Sequence, residues 1–283
     1  MGQNQSIVSA QWLKDNLNNP DIKIIDCRFR LPDADWGYQQ YIQSHIQNAY
    51  YLHLNNDLSG LIRSHSGRHP LPDSQLLATK FEQIGIIKNK TTVVVYDDSR
   101  FAFCSRLWWL LRYLGHDQVV ILDGGWQNWQ QLNYPTDDIL PPDTQGSFIP
   151  EPHPDLLVDI EQVKQALTSP DIAIIDARSC DRHLGKIEPI DPIAGSIPHS
   201  HNLFWQENTT PAGFLKSKAQ LQQMWQPYQN YSQTFVYCGS GVTACVNIFA
   251  LETLNYQPPK LYLGGWSDWC SYLQPSVNLV RHQ

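Results

Sequence analysis

The chain has 283 residues, of which 42 % are hydrophobic and 17 % are charged, and its formal net charge is −7. This composition is typical of a folded globular protein, and the acidic balance argues against a nucleic-acid partner. The sequence contains no run of about 18 apolar residues and no basic-then-apolar leader at its N-terminus. We therefore expect a cytoplasmic protein with no membrane partner.

Along the chain, short β-branched runs alternate with segments long enough to form helices. Each half opens on a helix signal, with Ser9 and Asp159 as the predicted N-caps. Uninterrupted apolar runs such as VVVY indicate parallel strands that helices cover on both faces, so the predicted fold class is α/β. The predicted strands lie at 22–26, 92–96, 119–122, 172–175, 234–237 and 260–263.

The two halves carry the same landmarks in the same order, which predicts a tandem repeat. DIKIIDCRFR at 21–30 matches DIAIIDARSC at 171–180, and LDGGWQNW at 122–129 matches YLGGWSDW at 262–269. We take the tryptophans of these GGW turns as packing residues.

A proline-rich stretch separates the two halves. PTDDILPPDTQGSFIPEPHP has no apolar periodicity, which is typical of an extended interdomain linker. The predicted organisation is an N-terminal domain at 1–135, a linker at 136–155 and a C-terminal domain at 156–283.

Cys238 directly follows a predicted strand and precedes the turn Gly-Ser-Gly-Val-Thr. A strand, loop and helix start in this order directs backbone amides and the positive end of a helix dipole at the sulfur, and both favour a nucleophilic thiolate. Asp97 occupies the equivalent position of the first half. We expect the cysteines without such a loop, at positions 27, 104, 245 and 270, to be packing residues.

The tandem repeat, the paired GGW turns and CGSGVTA at 238–244 together resemble the two-domain rhodanese family of sulfurtransferases. The resemblance implies tandem rhodanese-like domains, each a mainly parallel sheet covered by helices on both faces. It further implies a C-terminal domain that forms a persulfide on Cys238 and an N-terminal domain that is inactive because Asp97 replaces the cysteine. No cofactor is implied.

Within that family, the loop is similar to that of the 3-mercaptopyruvate sulfurtransferases. The resemblance implies that Ser240 handles a proton near the cysteine and that Thr243 shapes the loop, with Gly239, Gly241 and Val242 as further substrate-binding positions. The alternative to these catalytic and loop-shaping roles is that the serine and threonine hydroxyls cap the loop and the helix.

Three residues outside the loop complete the implied site. Arg182 matches the family arginine that binds the donor's carboxylate or sulfonate, a role suited to a guanidinium. His69, in GRHPLPD, matches an interface histidine and is the candidate proton relay. The family's accompanying aspartate aligns with Asn55, so Asp57, two residues later, is the nearest candidate for that role.

The implied donor is 3-mercaptopyruvate, and the acceptors are cyanide, small thiols or reduced thioredoxin. A second family arginine, about nine residues after Arg182, is absent because the chain reads EPIDP at 188–192. Thiosulfate therefore remains an alternative donor.

Other classes of protein fit less well. A cysteine phosphatase needs Cys-x5-Arg, but position 244 is alanine. A non-catalytic binding or regulatory module is the alternative of another class. The histidine pairs at 65 and 69 and at 199 and 201 lack a carboxylate or cysteine at ligand spacing, so no metal site is predicted.

Overall fold

The computed structural model describes residues 6–273, so the first five residues of the predicted N-terminal domain and the last ten of the C-terminal domain lie outside it. The first half folds around one parallel sheet. The strands of this half are β1 (Ile7–Val8), β2 (Ile22–Asp26), β3 (His45–Ile46), β4 (Ala49–Tyr51), β5 (Thr92–Tyr96), β6 (Val119–Leu122) and β7 (Thr136–Asp137), of which β3 and β7 lie outside that sheet. Its helices are α1 (Ala10–Asp15), α2 (Trp36–Gln43), α3 (Ser74–Ile84), α4 (Cys104–Tyr113) and α5 (Gly125–Gln131).

The second half repeats this plan, and short 3-10 helices add to it at Pro154–Leu156, Trp205–Asn208 and Gln226–Tyr228. Its strands are β8 (Leu157–Val158), β9 (Ile172–Asp176), β10 (His201–Asn202), β11 (Gln233–Tyr237) and β12 (Lys260–Tyr262), and its helices are α6 (Ile160–Ala166), α7 (Cys180–His183), α8 (Lys218–Trp225), α9 (Ala244–Thr253) and α10 (Gly265–Ser271).

The two sheets have the same topology. The first runs β1-β6-β5-β2-β4, and the second runs β8-β12-β11-β9-β10 when it is read from the matching edge. All pairings within both sheets are parallel. The predicted α/β tandem fold is therefore confirmed.

Alternate residues of the central strands pack into different cores, which explains the uninterrupted apolar runs. In β5, Val93 and Val95 belong to a large cluster shared by both halves, whereas Val94 and Tyr96 belong to a separate cluster on the outer face. All four side chains are buried. Helices cover both faces because each face of the sheet carries apolar side chains that must leave water.

Helix starts follow the predicted caps. The Ser9 side chain accepts a hydrogen bond from the Trp12 amide, and Asp159 forms a capping box with Gln162. These caps fix where α1 and α6 begin, and each helix then leads into the strand that follows.

The predicted linker follows the surface of the N-terminal half. Strand β7 pairs antiparallel with β3, and Phe148 is buried against the Phe81 ring. Helices α4 and α9 pack against each other across the two halves, with Trp108 and Phe249 in edge-to-face contact at 5.1 Å. The shared apolar cluster fixes the two halves relative to each other.

Candidate active site

The loop between β11 and α9 presents Cys238 at the carboxyl end of a central strand. Cys238 is only 2 % exposed. Backbone hydrogen bonds tie this loop to the start of α10: the Trp266 amide donates to the Cys238 carbonyl at 2.8 Å, and the Ser267 amide donates to the Gly239 carbonyl at 2.9 Å. The second GGW turn therefore holds the cysteine loop in place through its backbone.

Two glycines make this close packing possible. Gly241 has φ +71°, in the left-handed region, and a Cβ there would collide with the Leu263 carbonyl. Gly265, with φ +61°, lies against the loop itself, since a Cβ there would come within 3.0 Å of the Ser240 amide nitrogen. Larger residues at either position would displace the loop.

The sister loop in the N-terminal half follows β5 as the cysteine loop follows β11, and it shows how such a loop binds an anion. The buried Asp97 carboxylate accepts four backbone N–H hydrogen bonds, from Ser99 at 2.8 Å, Phe101 at 3.1 Å, Phe103 at 2.9 Å and Cys104 at 3.0 Å. Burial raises the pKa of Asp97, and the amides oppose that rise. We call such a ring of backbone N–H donors an anion cradle, and in this loop the Asp97 carboxylate itself occupies it.

The cysteine loop offers similar amides with no carboxylate among them. Within residues 6–273, no protein group accepts a hydrogen bond from the backbone amides of 239–243. These free donors belong to the loop that carries the Cys238 sulfur. By comparison with the loop around Asp97, this loop retains backbone N–H donors that are available to an anion.

A histidine from the N-terminal half reaches the loop across the domain interface. His69 Nδ1 lies 2.7 Å from the Ser240 hydroxyl oxygen, and both residues are buried. Burial, together with the nearby Arg106 and Arg68 guanidinium groups, lowers the pKa of His69 to about 3. His69 is therefore a neutral imidazole at physiological pH.

Arg106, on α4, places a fully buried positive charge behind the same loop. It donates to the Gly241 carbonyl at 3.2 Å and to three carbonyls of the N-terminal half, each at 3.3 Å. Burial lowers the pKa of Arg106, while the nearby sulfurs of Cys245 and Cys238 raise it. No carboxylate of residues 6–273 forms an ion pair with this guanidinium, so an anion on Cys238 would partly offset its charge.

The neighbouring Cys245 does not compete for this role. Burial raises the pKa of the Cys245 thiol to about 12, although Arg106 opposes the increase. Its sulfur lies 3.5 Å from the Gly241 carbonyl oxygen, to which the thiol donates. Cys245 is a protonated packing residue at neutral pH.

Arg182 lies on α7 above the loop and is held by two carboxylates. Its Nε and Nη2 atoms contact Glu188 at 3.1 and 2.6 Å, and Nη2 also contacts Asp191 at 3.2 Å. Glu188 pairs in addition with Arg178, whose guanidinium binds Asp176. This cluster balances three guanidinium groups, including Arg68 on Asp191, with three carboxylates.

A cavity of about 630 Å³ lies between the two halves, and the cysteine loop forms part of its wall. Of the residues predicted for the site, seven line it: His69, Arg182, Cys238, Gly239, Ser240, Val242 and Thr243. Gly241 turns its carbonyl toward Arg106 behind the loop instead. A larger cavity of about 940 Å³, around Trp109 and Tyr256, contains none of the predicted residues.

Comparison with known proteins agrees with this architecture. The rhodanese-like domain model matches the chain twice, at residues 9–132 and 159–272. The chain belongs to the rhodanese family. The predicted membership of the two-domain rhodanese family is confirmed by the two matches.

Relatives of the rhodanese family match over nearly the whole chain. A probable 3-mercaptopyruvate sulfurtransferase of Pseudomonas aeruginosa is 39 % identical, covering 93 % of this chain and 94 % of its own. A putative thiosulfate sulfurtransferase, SseB of Mycobacterium tuberculosis, is 31 % identical with 94 % coverage of both chains. The crystal structure of the 3-mercaptopyruvate enzyme SseA from Escherichia coli has a TM-score of 0.80 at 30 % identity, covering 93 % of this chain and 99 % of that one.

Asp57 is the predicted site residue that the structure does not bring to the cysteine. Its carboxylate accepts a hydrogen bond from the His53 amide at 2.8 Å and pairs with Lys80 at 3.3 Å. Asp57 lines a separate cavity. Because the His53 amide and Lys80 of α3 already occupy this carboxylate, we leave Asp57 out of the proposed site.

Thr243 lies at the N-cap of α9, where the sequence also allowed a capping role. The structure gives its side chain no capping hydrogen bond. Thr243 instead contributes to the cavity wall next to Val242. These contacts favour a loop-shaping role for Thr243 over helix capping.

Arg68, Arg106 and Asp191 are site residues that the sequence reading did not single out. Arg68 stands next to His69 in the GRHPLPD segment, and Asp191 occupies the position nine residues after Arg182. The signal for Arg106 is a charged residue directly before the apolar run LWWLL of α4. Their spacing in the sequence does not predict that these three side chains lie close together.

Among residues 6–273 no cluster of three or more histidine, cysteine or acidic side chains is arranged to hold a metal ion. In the same part of the chain, no helix has the length and apolar character needed to cross a bilayer.

Proposed function

We propose that the chain is a sulfurtransferase in which Cys238 takes a sulfur atom from 3-mercaptopyruvate and passes it to an acceptor. The observation that carries the proposal is the cradle around Cys238. The equivalent loop of the N-terminal half holds the Asp97 carboxylate with four amides, whereas the amides of 239–243 have no protein acceptor within residues 6–273 and the loop presents a thiol to a cavity. Such a cradle supports both the thiolate nucleophile and the persulfide product.

In the first half-reaction, the Cys238 thiolate attacks the donor sulfur. A sulfur–sulfur bond forms as the donor's carbon–sulfur bond breaks, and its electron pair passes to carbon as the enolate of pyruvate. The proton of the donor thiol moves to that carbon, so pyruvate leaves and Cys238 holds a persulfide. No outside oxidant or reductant is needed.

Ser240 and His69 are the proposed proton carriers for this step. The Ser240 hydroxyl can pass the thiol proton toward the enolate, while the neutral His69 ring orients that hydroxyl through its 2.7 Å contact. Arg182 binds the carboxylate of the donor. Gly239, Gly241, Val242 and Thr243 form the loop that faces it.

In the second half-reaction, a nucleophilic acceptor attacks the outer sulfur and restores the Cys238 thiolate. Cyanide and small thiols meet this chemical requirement, and reduced thioredoxin is the proposed protein acceptor. We place the reaction in the cytoplasm, where cysteines remain reduced.

Thiosulfate is the second candidate donor, and the name of the Mycobacterium tuberculosis relative supports considering it. The charge balance around Arg182 favours mercaptopyruvate. Because Glu188 and Asp191 offset the local guanidinium charge, a dianion gains less attraction there than it would at an uncompensated arginine pair. A non-catalytic binding module would have no need for a cradled thiol in a cavity.

Steady-state kinetics test the proposal, with mercaptopyruvate and thiosulfate as donors and cyanide as the acceptor. We expect a higher kcat/KM with mercaptopyruvate and loss of transfer in the Cys238→Ser variant. Cys180→Ser is the matched control, because Cys180 is an exposed thiol outside the cradle, and it should keep full activity. Transfer that persists in Cys238→Ser would disprove the mechanism, and a preference for thiosulfate would disprove the donor assignment.

A further inference from the structure

A second part of the cavity wall carries no residue that the proposed donor step uses. It is formed by residues 98–103 of the N-terminal half and by the segment 204–211 of the C-terminal half, and it belongs to the same cavity of about 630 Å³ as Cys238. Cavities of roughly 300–1,000 Å³ take drug-sized ligands. A three-carbon donor on Arg182 therefore leaves room for a second molecule beside the cysteine.

Arg100 joins the two sides of this wall. Its guanidinium donates to the Thr209 hydroxyl at 2.9 Å, to the Thr209 carbonyl at 3.0 Å and to the Gln206 side-chain carbonyl at 3.1 Å, and it also donates to the Gln206 backbone carbonyl. Arg100 and Phe101 have φ +59° and +73°, in the left-handed region that disfavours residues with a side chain. These contacts between the domains hold a strained turn in place, and with it the shape of the wall.

The charge of Arg100 has no carboxylate counterpart. Burial lowers the pKa of Arg100, and Glu207 opposes that shift. Glu207 itself contacts Lys216 at 3.5 Å, and within residues 6–273 no carboxylate forms an ion pair with Arg100. Arg30, which lines the same cavity, is paired with Asp98 at 3.1 Å. This part of the wall therefore carries an excess positive charge, which attracts an anionic ligand.

Three polar side chains of this wall have hydrogen-bonding groups to spare. Among the described residues, the Gln127 side-chain amide has no protein partner, and Gln206 uses only its side-chain oxygen, so its amide nitrogen is available. Arg30 bonds to Asp98 through Nη2 alone, its guanidinium carbon lies 4.2 Å from the centre of the Trp36 ring, and its side chain is 51 % exposed. A guanidinium edge and two amides in one cavity match a ligand with a carboxylate and a peptide-like amide.

We infer that this part of the wall is the acceptor subsite, and that it takes a small thiol bearing a carboxylate and an amide. The inference rests on the proposed function and names the acceptor class of that site. Arg30 binds the carboxylate, and Gln127 and Gln206 bind the amide. The acceptor thiolate attacks the outer sulfur of the Cys238 persulfide. A new sulfur–sulfur bond forms as the bond to Cys238 breaks, its electron pair restores the Cys238 thiolate, and the acceptor leaves as a persulfide.

Acceptor kinetics with a matched pair of thiols test the subsite. N-acetylcysteine and N-acetylcysteine amide share the thiol and the acetylated amide, but only the first has a carboxylate. Each serves as the acceptor for the native chain and for Arg30→Gln, with 3-mercaptopyruvate as the donor. We expect Arg30→Gln to lower kcat/KM for N-acetylcysteine about three- to tenfold, as for a partly exposed charged contact, and to leave kcat/KM for N-acetylcysteine amide and for the donor unchanged.

Two further variants sharpen the comparison. Arg63→Gln removes the same charge from an exposed loop outside this cavity, and it should change kcat/KM for neither thiol. Gln127→Ala should lower kcat/KM for both thiols, which share the amide, but not for cyanide. An unchanged kcat/KM for N-acetylcysteine in Arg30→Gln, or an equal fall for both thiols in that variant, would overturn the inference.

A reaction that needs no sulfur donor separates this inference from the proposed function. In the Cys180→Ser background, which lacks the exposed thiol, the Cys238 thiolate attacks the disulfide N,N′-diacetylcystine, forms a mixed disulfide and releases N-acetylcysteine. Intact-protein mass spectrometry gives the rate. We expect Arg30→Gln to slow this reaction about three- to tenfold but not the reaction with the corresponding diamide. Equal slowing of both, or of neither, would contradict the inference, while absence of turnover with mercaptopyruvate would contradict only the proposed function.

Discussion

Replacing His69 by glutamine tests how the buried imidazole contributes to stability and to proton transfer. The folded chain holds the pKa of His69 near 3, whereas an unfolded chain returns it to about 6.5. Below about pH 6.5 the unfolded state therefore binds a proton that the folded state does not. The stability that His69 contributes is complete above that pH and is lost as the pH falls toward 3.

The size of this effect follows from the gap between the two pKa values. Well inside that interval each pH unit lowers the free energy of unfolding by about 1.4 kcal/mol, and the slope is smaller near each pKa, so His69 alone costs roughly 2 kcal/mol between about pH 6.5 and 4.5. This is a large share of a typical stability of about 5–15 kcal/mol. His116, with a pKa lowered to about 4 by burial, adds a second loss of the same sign.

Urea unfolding between about pH 4.5 and 7.5 measures the effect in the native chain, His69→Gln and His116→Gln. We expect both variants to lose less stability on acidification than the native chain does. His116 makes its hydrogen bonds to Asn89 and Gln118, away from the cavity, so His116→Gln should retain sulfur transfer. His69→Gln should lower kcat by about ten- to a hundredfold, because Ser240 loses its orienting partner.

The pH–rate profile gives the result that would refute this reasoning. A neutral His69 produces no change in kcat/KM between about pH 5 and 8. If the native chain shows a step with an apparent pKa near 6.5, and the step disappears in His69→Gln, then His69 is charged on acidification within the working range and the argument from burial is wrong.

Three further substitutions test the two loops. Asp97→Asn should lower the free energy of unfolding by about 2–4 kcal/mol, because an amide cannot accept all four backbone hydrogen bonds; urea unfolding measures this, and an unchanged midpoint would contradict the cradle. Gly241→Ala should lose about 1–2 kcal/mol from its positive φ and more from the Leu263 contact, and a variant with native stability and activity would disprove the close packing. Arg106→Met should slow alkylation of Cys238 by iodoacetamide at neutral pH, with Arg106→Lys intermediate; equal rates would show that the buried charge does not act on the thiol.

The strands were predictable because their pattern is local. The run at 92–96 becomes β5 with those bounds, and the run at 234–237 becomes all but the first residue of β11. Buried parallel strands need apolar side chains on both faces, so five consecutive residues are enough to reveal them. The antiparallel pairing of β3 with β7 was not predicted. The two strands are separated in the sequence by all the elements from β4 to α5, so their pairing depends on where the chain returns after α5.

The cysteine loop was also readable locally, since glycine, serine and cysteine follow a strand within a few residues. The charged residues that surround the loop in the folded chain could not be predicted in this way. Arg68 and Asp191 are 123 residues apart in the chain, and they meet because α4 and α9 bring the two domains together. A pattern that measures neighbours in the sequence cannot detect a charge cluster assembled across a domain interface.

Asp57 shows a second limit of the sequence, because here a residue predicted for the site is placed elsewhere. A carboxylate two residues from an aligned position fits the sequence, yet its direction depends on the turn that holds it. The His53 amide of that turn and Lys80 of α3 satisfy the Asp57 carboxylate. Hydrogen bonding of this kind is set by three-dimensional contacts that sequence spacing does not encode.

Intact-protein mass spectrometry tests the central claim most directly, that Cys238 carries the transferred sulfur. The native chain is incubated with 3-mercaptopyruvate in the absence of an acceptor, and then with cyanide. We predict that the mass increases by one sulfur atom, that peptide mapping places the atom on Cys238, and that cyanide removes it. A native chain that gains no sulfur, or a Cys238→Ser variant that gains as much, would contradict the account.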